Sequence, residues 1–255
     1  MTSIAVLIPA RRASTRLPEK LLLAEHGEPL IATAARRAAL AYGAGSVTVC
    51  ADDQALCQAA RQAGVAAVLT RAGHPSGTDR IAEVAARLPV QIVVNVQGDE
   101  PEMEPEHIRL VAELLDRHPW AGMATLCVPA GPETQANPNQ VKVVLAHGDR
   151  ALWFTRAPAI FDRDRARPVT TCHRHLGIYA YRREVLLGFA GLPESRLENT
   201  EKLEQLRALE AGIGMACAVV ARAVPGIDTR ADYDAFLARQ QHRSAETLPP
   251  PGAPA

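Results

Sequence analysis

The sequence predicts an α/β fold, a mostly parallel sheet covered by helices, with a smaller inserted lobe. Three observations carry this. Apolar runs and amphipathic stretches alternate four times over the first half of the chain. The apolar runs are short and nearly unbroken, as strands buried on both faces require. After about residue 120 the rhythm changes to strands joined by turns.

The elements follow in order. "SIAVLIPA" (3–10) is apolar and ends beside a proline, so it reads as a buried strand. "PLIATAARRAALAYG" (29–43) has helical spacing and closes on glycine. "SVTVCADD" (46–53) is a second strand, and "QALCQAARQAG" (54–64) a second helix that stops at glycine. "VAAVLT" (65–70) is a third strand. "GTDRIAEVAARLP" (77–89) is a helix with Thr78 as its cap and proline behind it. "QIVVNVQGDEP" (91–101) is a fourth strand, apolar until Asn95, and "PEHIRLVAELLDRH" (105–118) a further helix. "GMATLCVPA", "QVKVVLAHGDRALWFTRAP" and "CHRHLGIYAYRREVL" read as partly antiparallel strands in a lobe from about 124 to 182. "LENTEKLEQLRALEAG" (197–212) reads as one helix. One domain spans 1–243, and the small, proline-rich residues 244–255 read as a disordered tail.

Composition narrows the function. The 28 basic and 28 acidic side chains cancel, which argues against a general nucleic-acid or membrane-surface binder. No apolar run approaches membrane-span length. The five cysteines are scattered without a CxxC pair, so free thiols in a reducing cytoplasm are expected. Only three of the basic residues are lysines: Lys20, Lys142 and Lys202. In an arginine-rich chain, a lysine suits a place that needs a compact, mobile ammonium.

"IPARRASTRLPEK" (8–20) leaves the first strand and gathers Arg11, Arg12, Arg16 and Lys20 in one loop. Ligands in such sheets bind beyond the carboxyl ends of the strands. The loop lacks the glycines of GxGxxG or GxxxxGK[ST], which disfavours a dinucleotide-dependent dehydrogenase or a P-loop enzyme. Its cations, with Ser14 and Thr15 as donors, suit a triphosphate instead, although a solvated turn has the same composition. "VQGDEP" (96–101) puts Asp99 at the end of another strand, where a carboxylate can hold Mg²⁺. Asp228 in "VPGIDT" is the candidate second ligand, or simply a turn cap.

"IPARRASTRLPEK", "LTRAGHPSGTDRIAEV", "VNVQGDEP", "NPNQVKVV", "RHLGIYAYR" and "LEQLRALEAG" occur in this order over about residues 3–234. Together they resemble the 3-deoxy-manno-octulosonate (Kdo) cytidylyltransferases, also called CMP-Kdo synthetases. The opening motif is shared with many sugar nucleotidyltransferases, whereas "RHLGIYAYR" followed by "LEQLR" is more specific. The resemblance implies a nucleotidyltransferase-type sheet and the reaction CTP plus Kdo to CMP-Kdo plus pyrophosphate, with Mg²⁺, for lipopolysaccharide biosynthesis. It also implies a cytoplasmic homodimer whose second lobe helps form the dimer and the sugar site.

Residue by residue, the resemblance assigns Arg11, Ser14, Arg16 and Lys20 to the phosphates, and Asp99 and Asp228 to the metal. Arg71, Ser76 and Gly77 match positions that read cytosine, and Gln97 a ribose contact. Arg156, Arg163 and Arg165 are candidates for the sugar carboxylate. His175 and Tyr179 share one face of a strand and join Glu204 and Gln205 as candidates for the sugar hydroxyls. Glu204 and Gln205 are adjacent on a helix, so they cannot face the same way. Lys142 is expected to support the lobe. Two stretches depart from the family pattern: "VPGIDT" is shorter than its glycine-containing version, and "CHRHLG" follows a shortened loop. Neither removes a motif residue. The rival readings are cytidylyl transfer to another 2-keto sugar acid (8-amino-Kdo or a sialic-type acid) and a catalytically dead nucleotide-binding regulator. The presence of both carboxylates and Lys20 speaks against the second.

Overall fold

A computed structural model describes residues 2–164, 167–168 and 172–247. Strands β1 (Ile4–Ala10), β2 (Val47–Ala51), β3 (Ala66–Leu69) and β4 (Ile92–Asn95) alternate with helices α1 (Leu30–Tyr42), α2 (Gln54–Gln62) and α3 (Gly77–Ala85). Helix α4 (Pro105–Arg117) leads to β5 (Met123–Pro129), and the short α5 (Pro132–Ala136) to the pair β6 (Lys142–Ala146) and β7 (Arg150–Thr155). A two-stranded ribbon, β8 (Phe161–Asp162) with β9 (Arg167–Pro168), precedes the long β10 (His173–Arg182). Helices α6 (Arg183–Phe189), α7 (Arg196–Glu201) and α8 (Gln205–Glu210), strand β11 (Met215–Val219) and helix α9 (Arg230–Thr247) complete the chain.

The main sheet has nine strands in the order β3-β2-β1-β4-β10-β5-β11-β7-β6. It is mixed. The first four strands are parallel, as is β11 with β5, while β10 runs antiparallel to β4, β5 and β6. The α/β class is as the sequence predicts. However, β5 and β10, which the sequence reading gave to an inserted lobe, lie in the middle of the sheet. Strands β7 and β6 form one edge of the same sheet, and only the β8–β9 ribbon stands apart from it.

Alternation along each strand divides the core. Val6, Ile8 and Ala10 of β1 face one apolar cluster with α1, α2 and α4, whereas Ala5 and Leu7 face a second with α3, α6 and α8. Burial on both faces is why these strands read as continuous apolar runs. All five cysteines are buried free thiols.

Several boundaries differ from the sequence reading. Helix α3 is capped by Ser76, whose Oγ accepts from the Asp79 amide, and not by Thr78, which lies inside the helix. The stretch 197–212 is two helices, because Lys202 takes a left-handed conformation (φ 54°) and ends α7. Helix α9 runs to Thr247, so residues 244–247 of the expected tail are helical, and 248–255 lie outside the described residues. In β10 the register slips between Leu176 and Tyr179, and a bulge at Gly177 and Ile178 carries the strand past the carboxyl end of β4.

Candidate active site

A cleft of about 430 Å³ opens at the carboxyl ends of the parallel strands. The loop after β1 forms one wall with Arg11, Ser14, Arg16 and Lys20. The loop after β3 forms another with His74, Pro75, Ser76 and Gly77, and Gln97, Gly98 and Asp99 leave β4 at the floor. Two glycines permit this closeness. A Cβ on Gly77 would meet the Pro9 ring at 3.2 Å, and one on Gly98 would meet Ile31 at 3.0 Å and the Pro9 carbonyl at 3.3 Å.

The charge in the first loop divides into two groups. Arg12 turns away from the cleft wall and pairs with Glu19 (2.7 Å) and Asp53 (3.1 Å). Glu19 adopts a left-handed conformation (φ 51°), and the single turn of 3₁₀ helix that follows directs Lys20 inward. Lys20 is only 8% exposed. Its ammonium donates to Asp99 Oδ2 at 2.6 Å, to the Ile227 carbonyl at 2.6 Å and to Asp228 Oδ1 at 3.3 Å. Arg16 donates to the same Asp228 oxygen at 2.8 Å. The two aspartate loops are stitched together, since the Ile227 amide donates to the Asp99 carbonyl. Asp232 accepts from the Asp228 and Thr229 amides and fixes the start of α9.

The two carboxylates therefore share one cation although they lie 129 positions apart in the sequence. Two carboxylate oxygens within reach of one small cation suit Mg²⁺, which needs few protein ligands when phosphates and water complete its shell. Among the described residues no group of three or more His, Cys, Asp or Glu side chains forms a metal cage. The donor set thus fits Mg²⁺ on a phosphate ligand better than a tightly held structural ion.

The sugar candidates divide as well. His175 and Tyr179 do share a face: the bulge inserts two residues and preserves their phase, and the rings lie 5.3 Å apart. Thr125 Oγ1 donates its one proton to the Ile178 carbonyl (2.7 Å), so toward His175 Nε2 (2.9 Å) it accepts, which places the imidazole proton on Nε2. Burial, helped by the Arg174 charge, pushes this imidazole down to about 3 and keeps it neutral. Burial likewise raises the Tyr179 phenol well above its usual range. Gln97 reaches toward Asn95 and the Gly177 carbonyl, beside this aromatic face. Glu204 accepts a hydrogen bond from Thr78 at the start of α3, and burial raises its carboxyl. Its Oε1 is buried without a partner among the described residues. Gln205 is buried. Of the adjacent pair, Glu204 reaches the start of α3 and Gln205 is buried.

The arginines fare differently. Arg71 is 79% exposed and reaches back to Glu83, so the structure does not bring it to the cleft wall. The guanidinium of Arg156 donates to the carbonyls of Glu201, Pro138 and Lys202, which staples the lobe to α7. Arg163 is exposed in the turn of the β8–β9 ribbon, and Arg165 lies outside the described residues. Lys142 supports the lobe as expected: its fully buried ammonium donates to the carbonyls of Asn137, Gln140 and Arg156.

Sequence reasoning missed two charged residues here. Arg80 lies in the cleft wall, and its place in "GTDR", just after the loop that follows β3, was the available signal. Glu100 follows Asp99 and slots between Gly177 and Gly226, where any Cβ would meet its side chain at 3.1–3.2 Å. Burial, then the charges of Asp99 and Asp228, push it up to about 8, with Arg174 opposing.

The Cytidylyltransferase family model matches residues 5–216. A 3-deoxy-manno-octulosonate cytidylyltransferase of Thioalkalivibrio sulfidiphilus is 49% identical over 243 residues, which is 91% of this chain and 96% of that protein. This chain belongs to the 3-deoxy-manno-octulosonate cytidylyltransferase family. A second relative with that name, from Halorhodospira halophila, is 45% identical over 94% of this chain and 97% of its own length. A solved CMP:2-keto-3-deoxy-manno-octonic acid synthetase, complexed with CTP, superposes with a TM-score of 0.89 at 38% identity, covering 95% of this chain and all of that one. The nucleotidyltransferase fold extends further. A 4-diphosphocytidyl-2C-methyl-D-erythritol synthase of Anaerococcus prevotii shares it at TM-score 0.63 with 11% identity, over 94% of this chain and 99% of that one. Family membership makes this chain a nucleotidyltransferase.

Proposed function

We propose that this enzyme transfers the cytidylyl group of CTP to the anomeric 2-hydroxyl of Kdo, giving CMP-Kdo and pyrophosphate. The observation that carries the mechanism is the Lys20 ammonium between Asp99 and Asp228, inside a cleft walled by two loops. The new bond joins the sugar oxygen to the α-phosphorus. The bond from that phosphorus to the bridging oxygen breaks, and pyrophosphate carries the electron pair away. Such a displacement needs positioning and charge neutralisation more than covalent help.

Arg11, Ser14 and Arg16 hold the triphosphate. Lys20 follows charge at the α-phosphate, where a mobile ammonium serves better than a planar fork. Ser76, Gly77 and Gln97 border the nucleoside. Asp99 and Asp228 would hold Mg²⁺, which supplies a lowered pKa for the attacking hydroxyl, so no side-chain base is required. On the sugar side, the neutral His175, the protonated Tyr179 and the partnerless oxygen of Glu204 suit a polyhydroxylated acid. The chain acts as a cytoplasmic homodimer in this reading. Leu152 on β7 and Phe161 on β8, both exposed apolar side chains, support a partner surface on the lobe. No helix among the described residues is long and apolar enough to cross a membrane.

The test is pyrophosphate release with CTP, Kdo and Mg²⁺, with the sugar nucleotide identified by mass. Omission of any component should abolish release. Equal or faster turnover with 8-amino-Kdo or a sialic acid would overturn the choice of acceptor, and no release with any sugar acid would overturn the reaction.

A further inference from the structure

Two loops must be set at one spacing for a nucleoside triphosphate to touch both: residues 11–20 for the phosphates and 70–77 for the base. They leave β1 and β3, which are separated by β2. Asp52 immediately follows β2, and it faces both ways. Its Oδ1 accepts from the Arg12 amide of the phosphate loop at 2.9 Å, and its Oδ2 faces Arg80 Nη2 at 3.4 Å. Arg80 Nη1 donates to Thr70 Oγ1 at 2.7 Å and to the Arg71 carbonyl at 3.2 Å, the first two residues of the base loop. Thr70 in turn donates from its hydroxyl to the Ala51 carbonyl. One helical turn after Arg80, Glu83 accepts from the Arg71 amide (3.2 Å) and pairs with His74 Nε2 (2.6 Å). Helix α3 thus grips the base loop at its start and at its middle, and Arg80 ties that grip to the phosphate loop through Asp52.

The Arg80 side chain is almost wholly buried, which is costly for a guanidinium unless its donors are placed. A packing role alone does not need a fork with five donors. We infer that Arg80 and Asp52 are positioning residues that set the distance between base loop and phosphate loop, and through it the selection of cytosine. The inference rests on the reaction proposed above. A loop displaced by about 1 Å loses contacts with the base that are made equally in the ground and transition states. Loss of such uniform binding appears in KM rather than kcat.

The experiment is steady-state kinetics with CTP and UTP on the full chain, for wild type, Arg80→Lys and Asp52→Asn. The asparagine keeps an oxygen for the Arg12 amide but turns an NH₂ toward Arg80, so it cuts one link and spares the other. In both variants KM for CTP should rise about tenfold with kcat within about twofold, and the CTP-to-UTP ratio of kcat/KM should fall at least about fivefold. Thermal melts report folding, and if Arg80→Lys does not fold, Asp52→Asn decides alone. A fall in kcat with the CTP-to-UTP ratio unchanged marks a merely structural pair and overturns the inference. So does wild-type behaviour in both variants while the wild type itself prefers CTP. A wild type that uses CTP and UTP alike overturns base reading by this loop, and with it the inference.

Discussion

Replacing Lys20 by alanine should separate two effects that one ammonium produces. The first is on stability. Lys20 is 8% exposed, and its removal leaves Asp99 and Asp228 facing each other without their shared cation. Breaking a fully buried pair costs about 3–5 kcal/mol. Here the carboxylate side chains are 30% and 49% exposed, so water recovers part of their solvation and the expected loss is about 1–2 kcal/mol. The second effect is on catalysis. A preorganised donor at a developing charge is worth roughly 10²–10³ in kcat. Urea titration reads the first, and pyrophosphate release at saturating CTP beside CTP affinity by calorimetry reads the second. Turnover should fall at least about a hundredfold while CTP binding weakens by less. Lys20→Arg should also be impaired, because a planar fork cannot meet three acceptors gathered around a point. Weakened binding with unchanged turnover at saturation would reduce Lys20 to a ground-state phosphate contact. If neither quantity moved, the role of the opening loop would be wrong.

Asp99→Asn should keep the fold and lose turnover on the order of a hundredfold, since a neutral amide is a poor Mg²⁺ ligand; near-normal rates at saturating CTP and Mg²⁺ would refute the assignment. Glu100 is raised to about 8 in the fold from an ordinary 4.5, so its contribution to stability is complete below about pH 4.5 and drains away as pH rises toward 8. Glu100→Gln removes that titration, and in urea melts with EDTA its advantage over wild type should grow by roughly 4 kcal/mol between pH 5 and pH 8.5; a constant difference would show that the carboxyl is ionised throughout. Lys142→Met should cost about 2 kcal/mol in the same melts, because it leaves three part-buried carbonyls without their donor; a loss under about 0.5 kcal/mol would mean that water takes over the lysine's bonds.

What could be read from the sequence was whatever burial or the backbone dictates locally. Strands β1 to β4 were legible because burial on both faces demands unbroken apolar runs. The ends of α1 and α2 were legible because glycine marks them. The break at Lys202 was not, because a lysine in a left-handed turn leaves no signal in a helical pattern. Ser76 and Thr78 are both good caps, and only the amide direction at the helix start separates them. Within the site, the clustering of Lys20, Asp99 and Asp228 followed from three strand-end loops in one sheet. Arg71 was misplaced because a motif fixes a loop but not the side of the loop on which a side chain lies. Arg80 was overlooked because its partners, Asp52 and Thr70, come from other elements and have no fixed spacing to it.

The position of β10 has a consequence for synthesis on the ribosome. Strand β4 has β1 on one side and β10 on the other. About eighty residues must be translated after β4 before β10 arrives, several seconds at elongation rates of roughly 5–20 residues per second. For that interval the growing chain carries an apolar strand edge with unpaired amides, open to any neighbouring chain that can add a strand. Fragments that stop before residue 173 should therefore associate with one another, and a nascent chain paused in that window is the form that most needs a chaperone.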